Sequence, residues 1–583
     1  MLLLLALEIF FIWSLLALVL IGLGSIFLSR FANNHSLLDA FWLGLAASAA
    51  FLEIWNLLLP INSWLALFVF FVGVFGLLAN RSALLNRLRT APPSSRWLFW
   101  PALAIVLFLA LRSSGPCDYY DTGLYGASAV RWILTYPAVP GLANLHGRLG
   151  FNSSVFLFVA ALQHGLWVGL ALHLFGGLLM AAFCLALLPA CARVAGSSPA
   201  PVDWFYSILA IPAIFWATRS KIVGTLTDEP AAIACLIAAA ILFESLSHAN
   251  EDAPRPPDPS RLLVATALFS LAVVFKLSTV VFALLAWCLA LRQIWLTAPS
   301  PPKRNLHFAA AVLFPAAILV PWLARSIILS GYPFYPATLF GFPMDWKVPL
   351  SVARLYAVGV QSWGRLPDAP IADTRGWAWL GVWLHQALRN RVGFQVPVAI
   401  SLVGLAVVFA LLLRRQPRSA FPALWLLLPS LPAIVFWFLA SPDMRFGQFA
   451  IWTVAATLGS WGIVSLTSQR PAARVRNRAA FAILLLLLFW CLVSFGWQQP
   501  YHVLLAVKAL PPLPKPDLVL RRTRSGFPVY VPTQGNQCWD APLPCTPYFD
   551  ETLRLRKPPS FRWGFTSQFT AGDLQQSSSP VTP

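Results

Sequence analysis

Fourteen apolar runs follow one another along this chain, at 2–29, 36–59, 61–79, 97–112, 166–190, 204–218, 229–247, 262–275, 277–296, 308–329, 395–413, 420–440, 446–467 and 479–497. Each is long enough, or nearly so, to cross the roughly 30 Å hydrocarbon layer of a bilayer as a helix. Inside hydrocarbon every backbone N–H and C=O must find its partner within the protein, so a chain that repeats such runs is confined to a bundle of helices. Composition agrees, because 58% of the 583 residues are hydrophobic and only 11% charged, too little polar surface to coat a water-soluble protein of this size. The expected fold class is therefore an all-α polytopic membrane protein. The first run lacks a basic flank and a small-residue cleavage site, which marks a retained span rather than a signal peptide.

A formal charge of +20 would suggest nucleic acid as partner in a soluble protein. Here the basic residues fall in short clusters between apolar runs, the pattern of cytoplasmic loops. Arg81, Arg87, Arg89 and Arg96 place the third connection inside. Alternating sides from there puts Arg193, Arg255 with Arg261, Lys303 with Arg304, Arg414 with Arg415 and Arg418, and Arg470 through Arg478 inside as well, with both termini outside. Attraction to anionic membrane lipids is a weaker second use of the same charges, and no nucleic acid is implied. The extracytoplasmic segments are then 113–165, 218–229, 330–394 and a tail from about 498. Five organisational blocks follow: 1–96, 97–330, 331–394, 395–497 and 498–583.

Against this hydrocarbon background the stretch Cys117–Phe151 stands out, with two aspartates, two arginines (Arg131 and Arg148), a histidine and several aromatics directly behind a span. Polar groups beside a bilayer are costly and ask for a function. If 118–134 is a short helix on the membrane surface, Asp118, Asp121 and Tyr125 share one face by their spacing, while Val130, Ile133 and Leu134 lie away from it toward the bilayer. Tyr136-Pro137 and Val139-Pro140-Gly141 then break the helix, and His146, Arg148 and Asn152 follow in a loop able to fold back. A carboxylate near arginines suits a general base held beside cations that receive an anionic leaving group. An amphipathic juxtamembrane helix with a salt-bridged polar face accounts for the same charges without chemistry.

The motif D-T-G-L-Y at 121–125 resembles the acidic first-loop motif of the GT-C glycosyltransferases, membrane enzymes that use polyprenyl-phosphate sugars. Together with P-G-L-A-N-L-H-G-R-L-G-F-N-S-S at 140–154, T-D-E-P at 227–230, F-K-L-S at 275–278, S-G-Y-P-F-Y-P at 330–336, P-D-M-R-F at 442–446 and the C-W-D-A-P-L-P-C tail, it is more closely similar to a group of uncharacterised bacterial membrane proteins thought to share that fold. The resemblance implies a GT-C-like bundle with extracytoplasmic juxtamembrane helices and a small outer tail. It also implies an inverting transfer in which Asp121 deprotonates an acceptor hydroxyl that attacks the anomeric carbon of the lipid-linked donor. Thr122 stands where the GT-C pattern carries a second acid, and Gly126 where close relatives tend to carry His.

The remaining candidates each carry two readings. Asp228 and Glu229 sit where a helix begins, ordinary helix-start chemistry, or orient acceptor or donor in an outer cavity. Lys276 and Arg325 either snorkel to headgroups or bind the donor phosphate. Asp443 and Arg445 make a tight outer turn with a local ion pair, or line the same phosphate site. Glu53, within an early span, is expected to be paired in the bundle. Tryptophans of the 330–394 loop suit either sugar stacking or interfacial anchoring. Cys538 and Cys545 frame a short polar turn and are read as a disulfide of an oxidising compartment, two free thiols being the alternative. Most other cysteines fall in apolar runs, and no spacing resembles a zinc site.

The expected function is an inverting glycosyltransferase of an inner membrane, facing outward, with a lipid-linked sugar donor and a glycan, lipid or protein acceptor. No cofactor is assigned, and a divalent metal is left open. The rivals are a transporter or flippase of lipid-linked saccharides, which predicts midplane charges and internal repeats, and a surface-polysaccharide polymerase or ligase. The absence of a nucleotide-binding loop disfavours ATP-driven pumping and nucleotide-sugar chemistry.

Overall fold

The computed structural model of the chain describes residues 2–31, 35–90, 93–165, 167–196, 199–219, 222–247, 258–298, 300–413, 421–467, 473–496 and 513–568. Arg255, Arg414, Arg415, Arg418 and Arg470, and the side chains of Arg87, Arg89 and Cys491, lie outside what is described. Among the described residues the chain is mostly helical, and a helix stands at each of the fourteen apolar runs. Ten helices are long and apolar enough to cross a membrane. Ser63–Ala79 and Pro259–Phe275 are shorter apolar helices, as is the Arg478–Trp490 part of the last one.

Side-chain caps set several helix starts. Ser36 accepts from the Asp39 N–H at 2.9 Å, Asn62 from the Leu65 N–H at 3.2 Å, and Asp258 from the Ser260 N–H ahead of a helix that opens on Pro259. The first two helices then pack backbone to backbone through glycine. A Cβ built on Gly24 would meet the Ala40 carbonyl oxygen at 1.9 Å, and one on Gly44 the Leu20 carbonyl oxygen at 1.9 Å. Small residues permit this approach where lipid offers no hydrophobic drive to hold helices together. Gly44→Ala should accordingly destabilise the bundle by about 2–3 kcal/mol, an overpacking cost, seen as a lower melting midpoint in detergent. An unchanged midpoint would mean that these helices can part without loss.

The two ends of the bundle differ. At one end Asp39 and Glu244 hold Arg261, and Asp203 holds Arg193 at 2.7 Å. At the other end, where helix Leu37–Leu58 finishes, Asn56 accepts the Ala138 N–H on its backbone, and the segments around 114–165, 331–394 and 513–568 meet. The tail adds two small antiparallel pairs, Leu518–Arg522 with Pro528–Pro532 and Arg554–Leu555 with Phe565–Thr566.

One expectation for this end needs correction. The helix after Asp121 does not turn an apolar face to the bilayer, because Val130 and Ile133 are buried inside the protein and the Ile133 carbonyl accepts the Ile61 N–H at 3.0 Å. Ile133 lies beside Asn56, Val139, Leu142 and Phe156, toward the bundle, while Trp132 packs edge-on against Phe561 and Phe565 of the tail.

Candidate functional site

The segment after Asp121 begins with a π-helical turn, Thr122–Gly126, before α-helix Ala127–Thr135. The Ala127 N–H donates to the Thr122 carbonyl, five residues back, and such a one-residue bulge re-aims the side chains before it. Thr122 is tied to the 222–227 loop: its hydroxyl accepts the Thr225 N–H at 3.0 Å and lies 3.1 Å from the Thr225 hydroxyl. Gly126 packs against that threonine so closely that an added Cβ would meet its Oγ1 at 1.9 Å. Thr122 and Gly126 thus both serve this loop-to-loop joint.

Asp121 remains accessible at the mouth of the turn. Its carboxylate is 3.5 Å from Arg148, and the two side chains are 30% and 34% exposed. A pair this wet is worth well under about 1 kcal/mol, so Arg148 orients Asp121 without locking it. The Arg148 guanidinium also lies 5.9 Å from the centre of the Tyr125 ring, which is buried edge-on against Phe151 and Phe156. Asp118 is exposed three residues earlier.

A second carboxylate acts on the same tyrosines as Asp121, Tyr119 and Tyr125. Asp228 opens helix Asp228–Ser247, is 4% exposed and forms an ion pair with Lys276, while Arg445 approaches it to 3.9 Å. Lys276 sits over the Phe446 ring at 3.8 Å. Arg445, 42% exposed, is held by Asp443 at 2.8 Å. Burial opposes ionisation of Asp443, but the hydrogen bonds and charge of Arg445, with Lys276 behind them, outweigh it and hold the carboxyl below its ordinary value. Glu229 adjoins Asp228 and lies in the field of Arg445 and Lys276.

Tyr119 joins the two halves. Burial, then the negative charges of Asp228, Asp121 and Glu229, push its phenol well above the ordinary range, with Arg445 acting the other way. Its hydroxyl therefore keeps its proton, a neutral donor set among three acids. The i, i+3, i+7 face drawn through Asp118, Asp121 and Tyr125 passes it by, and the run of aromatic and acidic residues C-D-Y-Y-D was the available signal.

The structure thus gathers Asp121, Arg148, Tyr125, Asp228, Glu229, Lys276 and Arg445, and engages three other candidates elsewhere. Arg325 is 4% exposed within the bundle, where its Nε donates to Asn56 at 3.0 Å and a second nitrogen to Asn152. It acts electrostatically on buried Glu53, which accepts from Ser154 at 2.6 Å. Asn152 also donates to the Trp322 carbonyl at 2.7 Å and belongs to that internal network. Arg131 faces the tail, paired with Asp540 and donating to the Ala541 carbonyl at 2.6 Å.

His146 is buried between the first loop and the tail, edge-on to Tyr548. Burial, and then the nearby Arg148 charge, lower its imidazole to about 3. It is neutral at pH 7. Because the unfolded chain binds that proton near 6.5, stability attributable to His146 rises with pH from about 3 to 6.5 and is lost on acidification. We expect the melting midpoint of the parent to fall more steeply between pH 7 and 4.5 than that of His146→Asn, with about 2 kcal/mol lost at the acid end. Parallel curves would refute the assignment.

Cys538 and Cys545 form a disulfide. Of the loop tryptophans, Trp379 and Trp383 are buried against Trp437 and Phe438, in a packing role. Among the described residues no group of three or more His, Cys, Asp or Glu is placed to hold a metal ion. The chain matches no curated protein and no solved structure. Residues 6–452, most of the chain and all of the Asp121–Arg445 constellation, match the family described as Domain of unknown function (DUF8201), and the chain belongs to that family.

Proposed function

We propose that this protein is an inverting glycosyltransferase of GT-C type. It would transfer a sugar from a polyprenyl-phosphate donor to a hydroxyl acceptor at the outer face of a membrane, with Asp121 as general base. The observation that supports this most is the convergence of an accessible carboxylate, Asp121, with a second site of buried acid and two cations, Asp228, Lys276 and Arg445, around Tyr119. An acceptor hydroxyl bound at Asp121 would lose its proton there as it attacks the anomeric carbon. Negative charge gathers on the departing phosphate, and Lys276 and Arg445 offer fixed positive charge to receive it. Tyr119 supplies a neutral hydrogen-bond donor between the two.

Placing this end outside rests on the basic connections of the opposite end. The transporter alternative calls for ionisable groups along a path through the bundle. Asp228 opens its helix and Arg325 lies in the last turns of helix Pro301–Ser330, so both sit toward the same end.

The test is sugar transfer in proteoliposomes supplied with labelled polyprenyl-phosphate monosaccharides. Transfer, with release of polyprenyl phosphate, should require Asp121. Equal transfer by Asp121→Asn would remove the base, and saccharide translocation without bond cleavage would favour the transporter.

A further inference from the structure

We propose that the disulfide-closed hairpin Asn536–Cys545 is the positioning element of the Asp121 turn, with Trp539 and Gln537 as its working contacts. Its effect on catalysis rests on the reading of Asp121 given above; its effect on the turn does not. The hairpin grips the turn on both sides of Asp121. Gln537 donates to the Tyr120 carbonyl at 2.9 Å, one residue before, and the Trp539 N–H donates to the Gly123 carbonyl at 2.9 Å, two residues after. The Tyr120 hydroxyl donates to Asn536 at 2.6 Å. The Trp539 ring lies flush on Gly123, where an added Cβ would meet it at 2.4 Å and the Gln537 amide at 2.8 Å.

The hairpin is itself held at several points. Cys538 and Cys545 close it, and the Ala541 N–H donates to the Cys538 carbonyl at 2.8 Å. Arg131, on the helix that follows the turn, holds Asp540 and the Ala541 carbonyl. On its far side the Tyr530 N–H donates to the Pro544 carbonyl at 3.0 Å, and the Thr546 N–H to the Tyr530 carbonyl at 3.1 Å, which moors it to strand Pro528–Pro532. Trp539 adopts a left-handed backbone at φ 41°, a conformation a bulky residue keeps only where its surroundings over-determine it. A π-helical turn is a poor helix by itself. A rigid external clasp on the carbonyls either side of Asp121 gives that carboxylate a fixed direction, as a general base requires.

Amide hydrogen exchange of the full chain in nanodiscs tests the clasp without any substrate. In Trp539→Ala and in the double variant Cys538→Ser/Cys545→Ser, exchange at residues 119–127 should rise at least tenfold, while helix Asp228–Ser247 stays as protected as in the parent. Trp539→Phe, which keeps a ring over Gly123, should restore most of the protection, so the test survives if the alanine variant folds poorly. In the transfer assay the same two variants should lower kcat by at least tenfold and leave the donor KM within twofold. Exchange at 119–127 that stays as slow as in the parent overturns the proposal, and so does a rise shared equally by Asp228–Ser247. If exchange rises as expected but Asp121→Asn transfers sugar normally, the clasp stands and the glycosyltransferase reading falls.

Discussion

Asp121→Asn should lower the rate of sugar transfer by about 10³-fold, the middle of the range for losing a general base. The asparagine is isosteric and offers an amide oxygen to Arg148, so the 3.5 Å contact has a partner in the variant. Because that ion pair is one-third exposed, its loss costs little stability, and the variant should melt within about 1 kcal/mol of the parent. Rate and stability therefore separate, which is what identifies chemistry rather than folding. Tyr119→Phe provides a graded comparison: the ring remains, the donor is lost, and a drop of ~10-fold to 100-fold is expected from one hydrogen bond in the transition state. The measurement is initial-rate transfer at saturating donor, and a variant at parental rate would eliminate Asp121.

Arg325→Met should do the reverse, destabilising the fold heavily. A guanidinium 4% exposed is surrounded by the Asn56 and Asn152 amide oxygens and by the field of Glu53. Removing it leaves those acceptors and a buried carboxyl without their cation, a change worth about 3–5 kcal/mol. We expect little monodisperse protein after detergent extraction, and partial recovery when Glu53→Gln is added, since an amide there needs no countercharge. Lys276→Met is the contrast beside Asp228, with a smaller stability loss and a larger effect on donor KM. Normal extraction of Arg325→Met coupled to a raised donor KM would instead return Arg325 to the phosphate site.

These contrasts also show what a linear sequence conceals. Apolar runs are legible because hydrocarbon tolerates nothing but internally bonded backbone, and helices stand where the runs are. The polar residues of the site were legible as types and only partly as partners. Lys276, just past the end of helix Pro259–Phe275, and Asp228, at the start of helix Asp228–Ser247, are 48 residues apart, and nothing local couples them. Arg325 and Lys276 look alike in sequence, each a cation at the end of an apolar run, yet one turns inward to amides and the other to the carboxylate of Asp228. The inward turn depends on Asn56 and Asn152, neutral residues that carry no charge signal. A 3.6-residue period started at Asp118 passes Tyr119 by, because Asp118 and Tyr119 precede the helix, which begins only at Tyr120. An apolar face at Val130 and Ile133 reads as lipid-facing in sequence because its partner, the end of helix Leu37–Leu58 and the residues after it, lies some 70 positions earlier.

That separation has a consequence in time. The bond from Gln537 to the Tyr120 carbonyl spans 417 residues. At roughly 5–20 residues per second, a ribosome needs on the order of 20–80 s to travel between the two partners. Throughout that interval the Asp121 turn is already made while its clasp has not been synthesised. If Asp121 is the base proposed above, a chain still being inserted into the membrane carries it on an unbraced turn. On that reading the site is complete only once residues 536–545 have been made and have closed on the Tyr120 and Gly123 carbonyls.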